Sequence, residues 1–97
     1  MAGYILLTKF TPKGIAEVKG SPERVKRIKD AAKQMGGKVV GCWWTLGEYD
    51  MVMVVDATND QTLATAVLST LKEGYVTTTT MRAFSEDEFA QVVSKLP

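Results

Sequence analysis

The sequence predicts an α+β protein with one four-stranded antiparallel sheet that carries its helices on one face. Four segments are apolar or alternate apolar and polar residues over the length of a strand, and the segments between them repeat apolar residues every three or four positions. These segments follow one another as β-α-β-β-α-β, with one further helix at the C-terminal end. The chain has 97 residues, and we assign residues 1–97 to a single domain.

The N-terminal third predicts a strand and a basic amphipathic helix. The strand is YILLTKF, from Tyr4 to Phe10. Thr11-Pro12 indicates a short helical segment, and Ser21-Pro22 begins a longer helix, because a hydroxyl caps a helix and proline suits its first position. Gly36-Gly37 ends that helix, since glycine accepts the left-handed backbone that follows a helix. The apolar stripe of the helix consists of Val25, Ile28, Ala32 and Met35.

The middle of the chain predicts a β-hairpin. The second strand is KVVGCWWTL, from Lys38 to Leu46, and the third is YDMVMVVDA, from Tyr49 to Ala57. Between them, Gly47-Glu48 fits a tight two-residue turn of type II′, which takes glycine first.

The C-terminal part predicts a helix, a strand and a last helix. Thr58, Asn59 or Asp60 can cap the first of these helices, which stops at Gly74. The fourth strand is YVTTTTMRAF, from Tyr75 to Phe84, because threonine favours strands. Ser85 and Glu88 match a capping box. The apolar residues expected to be buried by the two helices are Leu63, Ala64, Val67, Leu68, Leu71, Phe89, Val92, Val93 and Leu96.

Right-handed crossovers convert this element order into one sheet topology. They place the third strand between the first and the second, and the first strand between the third and the fourth. The predicted strand order is therefore 4-1-3-2, the split βαβ or ferredoxin-like sheet, with both long helices on the same face.

The second face of this sheet also consists of apolar side chains. A sheet with one face in water should alternate apolar and polar residues, but Ile5, Leu7, Val52 and Val54 occupy the positions that should be polar. We expect the C-terminal helix to cover part of this face and a second subunit, packed sheet to sheet, to cover the rest. The sequence therefore predicts a homo-oligomer with the dimer as its unit.

Composition excludes several kinds of site. The chain has no histidine, which excludes imidazole bases, His-ligated haem and His-containing zinc sites. The single cysteine, Cys42, cannot hold an iron–sulfur cluster or form a disulfide within the chain. We expect no metal site and assign no cofactor. Apolar runs too short for a bilayer, the lack of a signal-peptide pattern and the single thiol predict a cytoplasmic protein without a membrane partner.

The charges are distributed unevenly although the net charge is only +1. Residues 9–38 contain nine of the twelve basic residues against three acidic ones, whereas residues 39–97 contain three basic residues against eight acidic ones. This asymmetry indicates either an anion-binding face or a solvated helix face.

The hairpin holds the first candidate site. Antiparallel pairing brings the start of the third strand, Tyr49-Asp50, to the end of the first strand, where Lys9 lies. One interpretation is a Lys9–Asp50 ion pair that fixes the register of the strands. The other is a pocket lined by Lys9, Tyr49 and Asp50, in which the carboxylate of Asp50 works as an acid or base.

Two further sets of residues are candidates for ligand binding. Trp43 and Trp44 are neighbours on a strand and should point to opposite faces, one into the core and the other to a subunit interface or an aromatic or apolar ligand. Arg82 should lie near Asp56, either as its ion-pair partner or as a contact for a ligand carboxylate or phosphate.

Nucleic-acid binding is not expected. RNA-recognition modules share this topology and stack bases on aromatic residues of the first and third strands, positions at which this chain has Tyr4 and Tyr49. However, the third strand lacks the basic-Gly-aromatic signature, and the basic residues lie on the first long helix, on the other side of the sheet.

The segment TLGEYDMVMVVDA, with Gly47, Tyr49 and Asp50 in a Gly-x-Tyr-Asp pattern, resembles the GYD-domain family of small bacterial and archaeal proteins. The resemblance extends over nearly the whole chain, through YILLTKFTPKGI, SPERV, GGKVVGCWWTLGEYD and TTTTMRAFSEDEF. It implies a ferredoxin-like domain related to the dimeric α+β barrels, and it implies no particular activity or catalytic residue.

Three functions follow as hypotheses. The first is a homo-oligomer that binds a small organic ligand at the interface between sheet and subunit, with Lys9, Trp43 or Trp44, Tyr49, Asp50 and Arg82 as ligand-binding candidates. The second, by analogy with dimeric α+β barrels, is a cofactor-free enzyme that oxygenates or isomerises a small substrate, with Asp50 as general base and Tyr49 as hydrogen-bond donor. The third is a structural subunit that regulates a partner protein.

Overall fold

The computed structural model describes all 97 residues and contains four strands and four helices. In chain order these are β1 (Ala2–Phe10), α1 (Pro12–Ala16), a 3₁₀ turn (Val18–Gly20), α2 (Ser21–Gln34), β2 (Lys38–Trp44), β3 (Met51–Ala57), α3 (Asp60–Leu71), β4 (Val76–Ala83) and α4 (Glu86–Ser94). The element order confirms the predicted α+β arrangement with an additional C-terminal helix. None of the helices combines the length and the apolar character that crossing a membrane requires.

The strands form one antiparallel sheet in the order β2-β3-β1-β4, which confirms the predicted ferredoxin-like topology. Tyr4 in β1 lies opposite Val55 in β3 and Arg82 in β4, and these positions share the face that carries the helices, which we call the helix face. Ile5 lies opposite Val54 and Met81 on the other face, which we call the open face.

A β-bulge in β2 determines which side chains of that strand reach each face. Val39 lies opposite Val55 and Gly41 lies opposite Val54, so Val40 is an extra residue on β2. Trp43 then falls on the open face, and its ring lies so close to Gly41 that a Cβ at this position would overlap it. A side chain at position 41 would therefore displace the Trp43 ring.

Helix starts follow the sequence signals with one exception. Asn59 accepts a hydrogen bond from the Thr62 amide at 2.9 Å and caps α3, and Ser85 and Glu88 form both bonds of the predicted capping box. The expectation that Ser21 caps α2 is wrong, because the helix already includes Ser21. Its buried hydroxyl instead accepts a hydrogen bond from Trp44 Nε1 at 3.0 Å.

The hairpin between β2 and β3 is wider than predicted. β2 ends at Trp44 and β3 begins at Met51, so residues 45–50 form a loop and Tyr49 lies outside β3. The backbone N–H of Thr45 donates to Asp50 O at 2.8 Å, and its hydroxyl donates to Tyr49 O at 2.7 Å. These bonds close a six-residue loop, so the two-residue type II′ turn at Gly47-Glu48 is wrong.

The core lies between the helix face and helices α2 and α3. It consists of Tyr4, Val25, Met51, Met53, Val55, Ala57 and Leu63. The two helices have little contact with each other, and a cleft remains between them above the sheet. On the open face, Ile5, Leu7, Val52 and Val54 are only partly buried.

The C-terminal helix does not bury its apolar side. No residue of α4 is buried, and the side chains of Phe89, Val92, Val93 and Leu96 are 47–66% exposed. The expected burial of these residues, and the expected cover of part of the open face by this helix, are therefore wrong. The radius of gyration is 14.6 Å, against about 12.5 Å for a compact domain of this length. An unpacked terminal helix accounts for this excess.

Candidate functional site

Asp50 has a structural role at the edge of the predicted site. Its backbone N–H donates to Thr8 O at 2.8 Å, and its Oδ2 accepts a hydrogen bond from the Phe10 N–H at 2.9 Å. The residue, which lies just before the start of β3, therefore continues the β1–β3 ladder and holds the two strands in register. The proposed Lys9–Asp50 ion pair is wrong, because the chain has only two ion pairs, Lys26–Glu23 and Arg82–Glu88.

Lys9 contacts the ring of Tyr49 instead. The Lys9 Nζ lies 5.3 Å from the centroid of that ring, within the range of a cation–π interaction. Lys9, Tyr49 and Asp50 are thus brought together at one end of the sheet, where the sequence places them. The carboxylate is held by backbone, and the ammonium group has no carboxylate partner.

The two tryptophans lie on opposite faces of the sheet. Trp44 is opposite Met51 on the helix face and donates its indole N–H to Ser21 on α2. It is still 46% exposed, because β2 is an edge strand. Trp43 is opposite Val52 on the open face and is 55% exposed. Trp43 is therefore available to a partner, whereas Trp44 joins the sheet to α2.

Arg82 lies away from the group of Lys9, Tyr49 and Asp50, which we call the hairpin cluster, and it has different partners from those expected. Its guanidinium carbon lies 4.5 Å from the centroid of the Phe84 ring, its Nη1 donates to Gly3 O at 3.2 Å and to Ala83 O, and its Nη2 lies 3.7 Å from Glu88 Oε2. The expected Asp56–Arg82 pair is wrong, because Asp56 is opposite Gly3 on the other face of the sheet.

Arg82 is paired with Tyr4 of β1. Tyr4 and Lys9 are five positions apart on this strand, a distance of about 17 Å. Arg82 thus cannot share a small ligand with the hairpin cluster of the same chain. It instead holds the start of α4 at the end of β4. Glu88 has a lowered pKa, mainly because its carboxylate accepts the backbone N–H of Ser85, with further contributions from the Ser85 side chain and the Arg82 charge.

Tyr4 is buried on the helix face, and its hydroxyl donates a hydrogen bond to the carboxylate of Asp60 at the start of α3. This bond raises the pKa of Tyr4, and burial raises it further. A buried ring is not accessible for base stacking, so Tyr4 does not offer the platform of an RNA-recognition module. The sequence analysis identified Asp60 only as a possible helix cap and did not predict its bond to Tyr4.

The open face is the largest feature for which the isolated chain has no internal partner. Its apolar side chains are Ile5, Leu7, Trp43, Val52, Val54 and Met81. Met81 was not singled out from the sequence, although the alternation of β4 would have placed it here. A second unpartnered surface, the α4 stripe, consists of Phe89, Val92, Val93 and Leu96.

A cavity lies on the opposite side of the sheet, in the cleft between α2 and α3. Its volume is about 340 Å³, and its lining includes Met51 and Met53 from the sheet, Val25 and Arg24 from α2, and Val67 from α3. None of the six predicted ligand-binding residues lines it. The sequence analysis did not predict this cleft, although two residues of the basic segment, Arg24 and Arg27, line it. No group of three or more Cys, Asp or Glu side chains is arranged to hold a metal ion.

Comparison with known proteins gives concordant results. The model of the GYD domain family matches residues 4–93. The glutamine synthetase and cystathionine beta-lyase binding protein of Thermus thermophilus is 34% identical over 84 residues, which are 86% of this chain and 88% of that protein.

The crystal structure of TTHA0845 from the same organism superposes with a TM-score of 0.56 and 22% identity, covering 88% of this chain and 95% of that one. At this identity the superposition supports the fold. The family match and the sequence relative each extend over most of the chain, and the Gly-x-Tyr-Asp pattern at residues 47–50 lies within the matched range. The chain therefore belongs to the GYD domain family.

Proposed function

We propose that this protein is a homo-oligomeric interaction subunit that binds other proteins, with metabolic enzymes as its partners. The observation that carries the proposal is the uncovered apolar open face, on which Trp43 of the edge strand β2 is 55% exposed. A contiguous apolar surface of this kind marks an interaction site in a soluble protein. The name of the Thermus relative, a binding protein for two enzymes, supports partners of the same class for this chain.

The open face suits self-association. Its side chains come from all four strands, and a two-fold axis through the sheet would pair Trp43 with the same surface of a second copy. Few charged groups lie on it: Lys38 and Asp56 are opposite each other near one end of the strands, and Lys9 lies at the other end of β1. A mostly uncharged centre with an aromatic anchor is the composition of an interface core.

The α4 stripe suits a different protein. An amphipathic helix with apolar side chains at i, i+3, i+4 and i+7 binds by laying that side into a groove of its partner. The first turn of α4 carries three acidic residues, Glu86, Asp87 and Glu88. We therefore expect a partner groove that is apolar at its base and basic at the end that receives this turn.

Sedimentation equilibrium tests the self-association. We expect the wild-type chain to be a dimer or a higher multiple of two. Trp43→Asp should weaken the association by about 30-fold or more, because interface hot spots contribute at least ~2 kcal/mol. Leu68→Asp is the matched control, since Leu68 is 63% exposed on α3 and lies on the other side of the sheet. A monomeric wild-type protein would contradict the homo-oligomer.

Binding to purified enzymes tests the partner class. Glutamine synthetase and cystathionine β-lyase from the source organism should each be titrated with the wild-type chain, with Phe89→Asp and with Leu68→Asp. We expect binding to at least one enzyme, lost in Phe89→Asp and retained in Leu68→Asp. If neither enzyme binds the oligomeric wild-type protein, this assignment of partners is wrong.

Small-molecule binding at the subunit interface is the second candidate. The observation that favours it is the cluster of Lys9, Tyr49 and Asp50, in which the Lys9 ammonium has no carboxylate partner and contacts an aromatic ring. Native mass spectrometry of the oligomer purified from its own source would reveal a retained ligand, and Lys9→Met should release it. An oligomer without additional mass would argue against this candidate.

The enzymatic alternative has less support than either binding function. It requires Asp50 as a general base, but Oδ2 of this residue is already occupied by the Phe10 N–H. That bond holds the carboxylate against the backbone of β1.

A further inference from the structure

The cleft between α2 and α3 has the size and position of a ligand site. Its volume of about 340 Å³ falls at the lower end of the range of about 300–1,000 Å³ for small-molecule pockets. The sheet forms its base, and the two helices form its walls. It lies on the helix face, so a dimer formed through the open face would leave it accessible.

The lining is apolar along most of the cleft. Side chains from the sheet and both helices contribute to this part, and they include Leu6, Val25, Ile28, Met51, Met53 and Val67. A polar part is formed where the start of α2 meets the start of β4, by Ser21, Arg24, Tyr75 and Thr78. The cleft is thus amphipathic, with an apolar body and a polar end that contains a guanidinium group.

Arg24 is held in place but has an unused donor. Its Nη1 donates to Glu17 O at 3.1 Å, and its guanidinium carbon lies 4.1 Å from the centroid of the Tyr75 ring. Its Nη2 is buried and has no hydrogen-bond partner in the chain. A buried donor without a partner is costly, and the cost is greater on a charged group.

The surroundings of Arg24 add positive charge. Lys13 Nζ lies 4.4 Å from the centroid of the same Tyr75 ring and donates to Glu73 O at 2.8 Å, so two cations contact one ring. Arg27 and Glu73 also line the cleft, but neither Arg24 nor Lys13 has a carboxylate within 4.0 Å. An anion at this end of the cleft would supply the missing acceptor.

We propose that the α2–α3 cleft binds a small organic carboxylate with an apolar body. The carboxylate accepts a hydrogen bond from Arg24 Nη2, and the apolar body lies over Met51 and Met53. The proposal accounts for the basic N-terminal segment as an anion-binding surface. It does not depend on the proposed protein–protein function, because it concerns the opposite side of the sheet.

Titration with octanoate and with 1-octanol, followed by calorimetry and by NMR of the amide groups, tests the proposal. The two probes have the same chain length but differ in charge. We expect octanoate to bind once per chain and more tightly than 1-octanol, with the largest shifts at the amides of Arg24, Tyr75 and Thr78. Binding of both probes with equal affinity, shifts confined to the open face, or no saturable binding would overturn it.

Two variants identify the group responsible. Arg24→Gln should weaken octanoate binding by roughly 10- to 100-fold, the effect of a hydrogen bond to a charged group, and should leave 1-octanol binding unchanged. Lys26→Gln is the matched control, because it removes the same charge from an exposed position on α2 outside the cleft. Ala66→Phe, which fills the cleft from α3 and retains Arg24, should abolish binding of both probes. Unchanged octanoate affinity in Arg24→Gln or in Ala66→Phe would overturn the assignment.

Discussion

At the scale of single residues, Asp50 shows how a short motif can have a structural explanation. The Gly-x-Tyr-Asp pattern places a carboxylate next to the end of β1, and the Phe10 amide there requires an acceptor because β3 begins only at Met51. The side chain of Asp50 takes the place of a backbone carbonyl. The residue types and their proximity were predictable from the sequence, but the partner was not, because Lys9 and Phe10 are adjacent on β1 and both were within reach.

Replacement of Asp50 should therefore affect stability. We expect Asp50→Ala to lower the free energy of unfolding by about 1–3 kcal/mol, the cost of leaving a partly buried donor without its partner. Asp50→Asn retains an acceptor oxygen and should lose less than half of that amount. Urea unfolding measures both, with Glu48→Ala in the same exposed loop as a control expected to change by less than about 0.5 kcal/mol. An Asp50→Ala variant as stable as the control would contradict the structural role.

At the scale of elements, the capping box of α4 is the clearest case in which a sequence signal determines local structure. Both bonds between Ser85 and Glu88 are present, although the rest of the helix has no buried residue. A box of this kind needs only four consecutive residues, so it forms without tertiary contacts. The predicted cap of α2 is wrong because Ser21 already has helical backbone angles, and its hydroxyl accepts a hydrogen bond from Trp44, 23 residues away.

The capping box also predicts a pH dependence for α4. Because the pKa of Glu88 is lowered in the folded helix, the stabilisation is fully present above the ordinary glutamate pKa of about 4.3 and is lost as the pH falls through the lowered value. We expect amide exchange at Phe89, whose N–H donates to Ser85 O, to lose protection in this acidic range. Glu88→Gln should remove the pH dependence, whereas Glu86→Gln should preserve it. Equal pH dependence in wild-type and Glu88→Gln proteins would contradict this interpretation.

At the scale of the whole molecule, the period of the apolar residues was sufficient for the topology. Four strands with two long crossover helices leave one right-handed arrangement, and the sheet order followed from it. The same periodicity identifies which side of α4 is apolar, but it contains no information about what covers that side. The apolar side that includes Phe89 and Leu96 was therefore predicted correctly, but the burial of these two residues was predicted wrongly. The α2–α3 cleft was missed for a related reason, since the distance between two helices depends on how the side chains at their contact pack.

The last prediction tests the open face and the α4 stripe independently of each other. Because α4 buries no residue, removal of residues 86–97 should change the free energy of unfolding by less than about 1 kcal/mol, the usual limit for a surface ion pair such as Arg82–Glu88. The shortened chain should still form the oligomer through the open face, and it should lose binding to the partner enzyme. Trp43→Asp should show the reverse, a monomer that retains the partner-binding helix.

Sedimentation, urea unfolding and enzyme titration on these two proteins distinguish the roles of the surfaces. Loss of the oligomer on removal of α4 would mean that this helix crosses to the second subunit and belongs to the homo-oligomer interface. We would then expect the open face to be the surface that recognises the partner. Either result therefore assigns each surface one occupant.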